Sequence, residues 1–565
     1  MAHYLRKFER KYGTYLVIYE SHLDKNKGRV VNNHVKVIGY VDDLKKQGID
    51  NPIEYARKEI ELLNKKRDEQ IIADSMKKVE AFPIKNYGYF IADVLMNKLN
   101  VDRDIDLLNY SEKLPINLSG LLRDLIYSRL IKPASKKHTF EEVIPTLINK
   151  NYEGNLDNIY KGLDFLGHNY SRVIEIFNYH ISQLFKRQTD TVYFDCTNFF
   201  FEIDKEDELR RKGPSKENRM SPIVSVGLLL DKDQIPIAMK IFPGNESEKP
   251  VIRNIIKDMK KSCNITGRTI QVADKGLNCS QNIIKAVENG DGYIYSQSVK
   301  KLEETELMWL LNKNDYNTIV DPSTKKITHK YKSCVDTYKY NYKDEKGNNR
   351  CIQLKQKRLI TWNSALYEKQ RAEIIKMVDK ANSFACSQAK KNELGEMSKY
   401  VKFDADSKIF VGLNNEKIEK DLALAGYNMI ITSEINMGDQ EIHETYQQLW
   451  RIEESFRIMK SELDARPVYL QKTHRICGHF LICYLCVTLL RLLQFKYFKQ
   501  FNSQQLLRLM KNMQCFYEDN RYVNLTKLSE DLESLSEAIN LPLTNYYLTH
   551  ADFQKLFKKA KYGKK

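Results

Sequence analysis

The stretch TVYFDCTNFFFEI, residues 191–203, decides the fold class. Its β-branched and aromatic residues predict a strand, yet Asp195 sits in its middle. Side chains alternate along a strand, so Thr197 shares the face of Asp195. A charged loop, residues 205–219, follows it. Then come SPIVSVGLLLD and IPIAMKIFPG, two strands joined by a turn at 231–234. Residues 246–261 read as a helix, 269–273 as a strand, 280–288 as a helix and 292–296 as a strand. The order β-β-β-α-β-α-β predicts an α/β protein with a ribonuclease-H-like sheet, an analogy of element order.

Working outward, residues 1–80 predict N-terminal β-strands followed by a charged helix, ARKEIELLNKKRDEQ. Residues 81–188 show helical apolar spacing, with breaks at Pro115, Pro133 and Gly154, and predict a helical, DNA-binding domain. Its basic group Arg129, Lys132, Lys136 and Lys137 reads equally as a DNA contact or a solvated face. The core's first part spans 189–300. Segments such as NTIVDP, RLITWNS and KIFVGL predict a mainly β insertion over 301–435, with one charged helix at 365–380. The core resumes over 436–500 with a polar helix and a buried apolar one, and 501–565 reads as a helical basic tail.

The chain has 565 residues, enough for about three or four domains. Hydrophobic residues at 42 % and aromatic ones at 11 % supply real cores. A net charge of +17, from 91 basic against 74 acidic side chains, points to a polyanion, nucleic acid before an anionic membrane surface. The opening MAHYLRKFERKYG has no apolar signal region. The longest apolar run, residues 480–490, is too short to cross a bilayer and reads as a buried helix. Ten scattered cysteines suit a reducing cytosol. Cys483 and Cys486 read as small core residues, because no second pair completes a zinc site.

Residues 446–460, YQQLWRIEESFRIMK, predict a helix without Pro or Gly. Tyr446, Glu453 and Lys460 fall seven apart, each about 20° from the last. Arg457 lands on the same line, beside an apolar stripe of Ile452, Phe456, Met459 and Leu463. Such a face is ordinarily turned to water. Asp274 ends the strand TIQVAD, where parallel-type sheets collect ligands, although Asp before Lys-Gly is also common turn chemistry. Asp195 reads either as a carboxylate bonded to a local backbone group or as a site residue. Three carboxylates on two strands and a helix are what two-metal phosphoryl transfer needs, with hard oxygens suited to Mg²⁺ or Mn²⁺.

Taken together, YFDCTNFFFE, IPIAMKIFPGN, VADKGLN and the Tyr446–Glu453–Lys460 array resemble the DDE transposases of bacterial insertion sequences. The likeness is to insertion sequence group four, which carries a tyrosine–arginine–glutamate–lysine signature. SFRIMKSELDARPVY and HFLICYLC are similar to its larger members. The resemblance implies a ribonuclease-H-like core with a β-rich insertion before the catalytic Glu. It makes Asp195, Asp274 and Glu453 the catalytic, metal-binding triad, with two Mg²⁺ ions per site and Mn²⁺ as substitute.

Tyr446 and Lys460 would contact phosphates of the transposon end, and Trp450 would stack on a displaced base. The signature Arg is Leu449 here, and Arg457, about 20° round from Tyr446, is expected to replace it. Lys212, Lys216 and Arg219 of the charged loop are expected to grip the DNA backbone. The implied activity is cut-and-paste transposition in a bacterial, nucleoid-associated cytoplasm. The implied partners are double-stranded DNA, as terminal inverted repeats and target, and a second copy of the chain in the synaptic complex. The alternatives are a DNA-binding protein that has lost catalysis and a metal-dependent nuclease without strand transfer.

Overall fold

The computed structural model is mixed α/β and describes residues 3–24, 29–81, 84–110, 114–216, 220–263, 265, 267–344, 346–384, 395–403, 410–518 and 521–562. Arg219 lies outside the described residues. The chain forms two compact units, Met1–Lys85 with Cys515–Val523 and Asn86–Gln514 with Asn524–Lys565.

In the first unit, β1 (His3–Arg10), β2 (Gly13–Asp24) and β3 (Arg29–Tyr40) form an antiparallel sheet in that order. Gly13, at φ +106°, closes the short β1–β2 turn in a conformation that side chains rarely adopt. Helices α1 (Val41–Lys46) and α2 (Pro52–Ala81) follow. Leu5 and Leu16 pack with Leu44 and Ala56, so one sheet face is committed to the helices.

After β4 (Lys85–Asn86), the predicted helical region contains α3 (Phe90–Leu99), α4 (Asp102–Asn109), α5 (Leu118–Ile131), α6 (Lys136–His138), α7 (Leu156–His168) and α8 (Tyr170–Leu184). Its basic group is divided, with Lys132 and Lys137 exposed and the other two buried. Arg129 is buried and donates to the carbonyls of Ala134 and Leu463, at 3.0 and 3.2 Å. Lys136 is buried too, and desolvation beside Arg129 pushes its ammonium down to about 7.

The central sheet has nine strands. β5 (Thr191–Phe200), β6 (Ile223–Leu230) and β7 (Pro236–Pro243) run antiparallel, and β8 (Ile270–Ala273) and β9 (Gly292–Gln297) lie parallel to β5. Helices α9 (Lys249–Ser262) and α10 (Ser280–Glu288) join them. Ile252 and Ile283 pack with Val192 and Phe194, the even-numbered face of β5.

The insertion does not build a sheet of its own at this edge. After α11 (Glu304–Leu311) come β10 (Asn317–Val320), β11 (Ile327–Lys343) and β12 (Asn349–Asn363), then α12 (Ser364–Phe384), β13 (Val401–Phe403), β14 (Phe410–Leu413), α13 (Asn415–Ala423) and β15 (Tyr427–Thr432). The full order is β10-β11-β12-β15-β9-β8-β5-β6-β7, and among the insertion's described strands β13 and β14 pair apart from it. The edge backbone of β9 is thereby satisfied by β15, which removes a liability for stray pairing.

The remaining elements are α14 (Asp439–Gln447), α15 (Trp450–Arg457), α16 (Thr473–Leu492), α17 (Ser503–Asn512), β16 (Gln514–Glu518), β17 (Arg521–Asn524), α18 (Glu530–Ile539), β18 (Tyr547–Thr549) and α19 (His550–Tyr562). The tail is therefore helical with three short strands. The apolar run grows into a helical segment, Thr473–Tyr497, that by length and composition alone could cross a membrane, yet it is wholly buried inside the protein. Phe480 on α16 meets Phe199 of β5, ring centroids 4.7 Å apart, so α16 covers the odd-numbered face of that strand. Cys483 and Cys486 are buried there, as expected of small core residues.

At the crossing of α7 and α16 two glycines bring the backbones together. A Cβ on Gly167 would sit 1.7 Å from the carbonyl oxygen of His474, and one on Gly478 would sit 2.5 Å from that of Leu163. Gly167→Ala is expected to destabilise the fold by about 1–3 kcal/mol through overpacking, read as a lowered urea midpoint.

Candidate active site

Asp195 projects from the face of β5 that α16 covers, and it is the one residue of that strand not fully buried. Burial pushes its carboxyl up to about 6; Glu248 and Asp274 add to the rise, while Lys216 and the Cys196 amide oppose it. The Lys216 ammonium lies 3.7 Å from Asp195 Oδ1 and 3.9 Å from Glu248 Oε1, and it donates to the Cys196 carbonyl. Local structure explains its place. The loop is tied to the sheet by a bridge between Arg211 and Ile223, and Gly213 packs against Gly244, where a Cβ would meet a carbonyl oxygen at 2.1 Å. Lys216 therefore lies on the carboxylates. Lys212, in the same loop, is exposed, its backbone amide held by Glu206.

Asp274 follows the last residue of β8, beside β5. Its Oδ1 accepts from Ser296 Oγ at 3.0 Å and from the Tyr446 hydroxyl at 3.2 Å. Burial raises the Tyr446 phenol well above its usual range, and the nearby carboxylates of Asp274 and Glu453 raise it further. Asp274 thus bonds to Tyr446 directly, and its charge is felt at Asp195 as that of Glu453 is felt at Tyr446. Glu453 itself is exposed.

The expected single helix over 446–460 is three pieces. Tyr446 lies in the last turn of α14, Glu453 lies in α15, and Lys460 falls in a π-helical turn, Ile458–Glu462. Between the first two, Leu449, Arg451 and Ile452 donate to carbonyls three residues back, a tighter winding than the α-helix. The uniform 100° count from Tyr446 to Arg457 therefore does not hold. Arg457 is exposed and forms no ion pair or hydrogen bond among the described residues. Leu449, where the signature Arg would stand, is 7 % exposed and belongs to the core. Trp450 is 46 % exposed, with the Arg451 guanidinium 4.0 Å above its ring. Lys460 Nζ lies 5.4 Å from the Phe199 ring, which places it over β5.

Glu454 has a different job from its neighbour. It accepts from Arg491 on α16 at 2.9 Å, and Arg491 is fully buried. Ser455 Oγ and the Arg451 carbonyl also accept from that guanidinium. The start of α14 is anchored as well: Lys357 of β12 reaches Asp439 at 2.7 Å and the Met437 carbonyl at 2.8 Å. The insertion strands thus position the helix that carries Tyr446.

Sequence reasoning missed Glu248, Ser296 and Arg491. Glu248 precedes a helix start, where acidic residues are ordinary dipole chemistry. Ser296 lies in a buried strand, and Arg491 in an apolar run, so none carried a legible signal. Among the described residues, no group of three or more His, Cys, Asp or Glu side chains stands close enough to hold a metal ion by itself.

Sheet and helix together define a carboxylate site at the end of β8 and on the face of β5. The chain belongs to the transposase family with a DDE domain: the family model described as Transposase DDE domain matches residues 199–489, half of the chain. The match contains Asp274 and Glu453 and begins four residues after Asp195. No curated protein matches the chain.

The two adjacent glutamates should separate cleanly. Glu454→Ala strands a buried guanidinium and is expected to cost about 3–5 kcal/mol. Glu453→Ala, at an exposed position, should shift stability by less than about 0.5 kcal/mol. Denaturation midpoints of the two variants check this, and equal shifts would refute the division.

Proposed function

We propose that this transposase catalyses cut-and-paste movement of an insertion sequence of group four, cleaving DNA at terminal inverted repeats and joining the freed ends to target DNA. The observation that carries this is Asp274, on the strand beside that of Asp195, accepting from Tyr446 of α14, with Asp195 and Glu453 contributing to the same electrostatics. The strand order β9-β8-β5-β6-β7 supports a ribonuclease-H-like core, with residues 301–435 as the insertion before the catalytic Glu.

Asp195, Asp274 and Glu453 are the residues to hold divalent metal. Their hard oxygens suit Mg²⁺ or Mn²⁺, and a cation there would favour the ionised form of the Asp195 carboxyl, which burial raises. When bound, two such ions would activate the attacking oxygen and stabilise the leaving one. The chain's own groups do the rest. Tyr446 and Ser296 hold one oxygen of Asp274, leaving the other available, and Lys216 offsets charge at Asp195.

Arg457, Lys460 and Lys212 would meet DNA phosphates, with Arg219 of the same loop as a further candidate. Exposed Trp450 offers a ring to an unstacked base. Two ends held together call for a dimer in the synaptic complex, and the reaction belongs in a bacterial cytoplasm, on nucleoid DNA.

The decisive assay combines pre-cleaved element ends, plasmid target and Mg²⁺. Wild type is expected to give joined products, and Asp195→Asn, Asp274→Asn and Glu453→Gln to give none while still binding ends. EDTA should abolish joining, with Mn²⁺ restoring it. A variant that joins ends as well as wild type would remove that residue from the site. Arg457→Ala is expected to weaken end binding most at low salt and to flatten the log–log salt slope by about 1, because each phosphate contact releases counterions. Unchanged binding across a salt series would exclude Arg457.

A further inference from the structure

The chain's basic character is unevenly placed. Residues 1–40 carry eight Lys and Arg against three Asp and Glu, whereas residues 81–188 carry fourteen against twelve. In that helical region Arg123, Arg129 and Lys136 are also buried. Residue for residue, the strand region 1–40 is therefore more basic than the helical region.

Its sheet has two unlike faces. On β1, His3 bonds to Asn64 of α2 and Leu5 enters the small core, so odd positions face the helices. The register His3↔Glu20 and the bond from Thr14 to Glu9 put both acidic residues of β1 and the body of β2 on that helical face. The even face of β1 presents Tyr4, Arg6, Phe8 and Arg10, paired across the register with Tyr19, Val17, Tyr15 and Gly13.

Here aromatic rings carry the arginines. The Arg10 guanidinium lies 4.3 Å from the Tyr15 ring centroid, and that of Arg6 lies 5.2 Å from Phe8 and 5.7 Å from Tyr19. Both arginines are exposed, and neither forms an ion pair among the described residues. Stacking on a ring uses the guanidinium face and leaves its N–H edge free for phosphate or a guanine edge. Arginines kept in place by rings, with no carboxylate to neutralise them, are pre-organised for an anionic partner.

From this we infer that the open face of the β1–β2–β3 sheet docks on double-stranded DNA. The inference rests on the transposase reading and transfers end recognition from the helical region, 81–188, to this sheet. Three strands at 4.7–4.9 Å spacing place the outer strand axes about 10 Å apart, comparable with the major groove, about 12 Å wide. Arg6 and Arg10, four residues apart on one face of one strand, follow one line along the groove, with Tyr4 and His34 beside them.

The test uses the full-length protein and fluorescence anisotropy with a labelled duplex of the DNA flanking the gene, a scrambled duplex and the single strand. Arg6→Gln/Arg10→Gln is compared with Lys45→Gln/Lys46→Gln, a charge-matched change at exposed positions of α1. The first variant is expected to lose at least about tenfold in affinity for the flanking duplex, and its log–log salt slope to flatten by about 2. The second should stay within about twofold of wild type on the same scale. If both variants bind equally well, the sheet is not the docking face. Tighter binding of the single strand than of the duplex would also overturn the proposal. A wild-type protein that binds none of the three DNAs would overturn the transposase reading itself, which separates the two failures.

Discussion

The buried guanidinium of Arg491 governs the geometry around Glu453. A charge removed from water must be paired, or it costs several kcal/mol, and its own helical segment supplies as acceptor only the neutral Gln494 oxygen, at 3.0 Å. Glu454, Ser455 and the Arg451 carbonyl supply the pairing from α15. That clamp sets the rotation of α15 on the core. With Glu454 turned inward, its neighbour Glu453 is turned outward, while the Tyr446 hydroxyl donates to Asp274. The carboxylate that serves stability and the one proposed for the chemistry are thus adjacent in sequence and divided by burial.

A second constraint acts from the sheet. Insertion strands continue the central sheet beyond β9, and the last of them, β15, leads directly to α14. Lys357 grips the first turn of α14 through Asp439, where a carboxylate also complements the helix dipole. The insertion is therefore part of the support for Tyr446. A one-residue slip of β12 against β15 would turn Lys357 to the opposite face and release that anchor.

These two supports explain why position 449 needs no cation for the fold. Leu449 lies between α14 and α15, where the winding tightens, and its side chain is core. An arginine there would have to leave the core or bury a charge. Arg457 and Lys460, further along, are the basic residues that this segment presents near β5 and solvent.

Composition, strand alternation and element order alone determined a mixed α/β chain, a central strand with an acid in it, a buried apolar helix and the identity of Asp195, Asp274 and Glu453 as the carboxylates to consider. Those features are local: a strand, a helix and a strand-end Asp are written in a few neighbouring residues. Tertiary structure decided what no window of sequence contains. It buried Arg129 and Lys136, which composition had left open as a basic surface, and it gave Lys216 to Asp195 and Glu454 to Arg491. It also split the 446–460 helix, so that angular counting failed across residues 448–452, because packing against the sheet and α16 outweighs the ideal pitch. Burial and pairing depend on residues hundreds of positions apart, and only the folded chain brings them together.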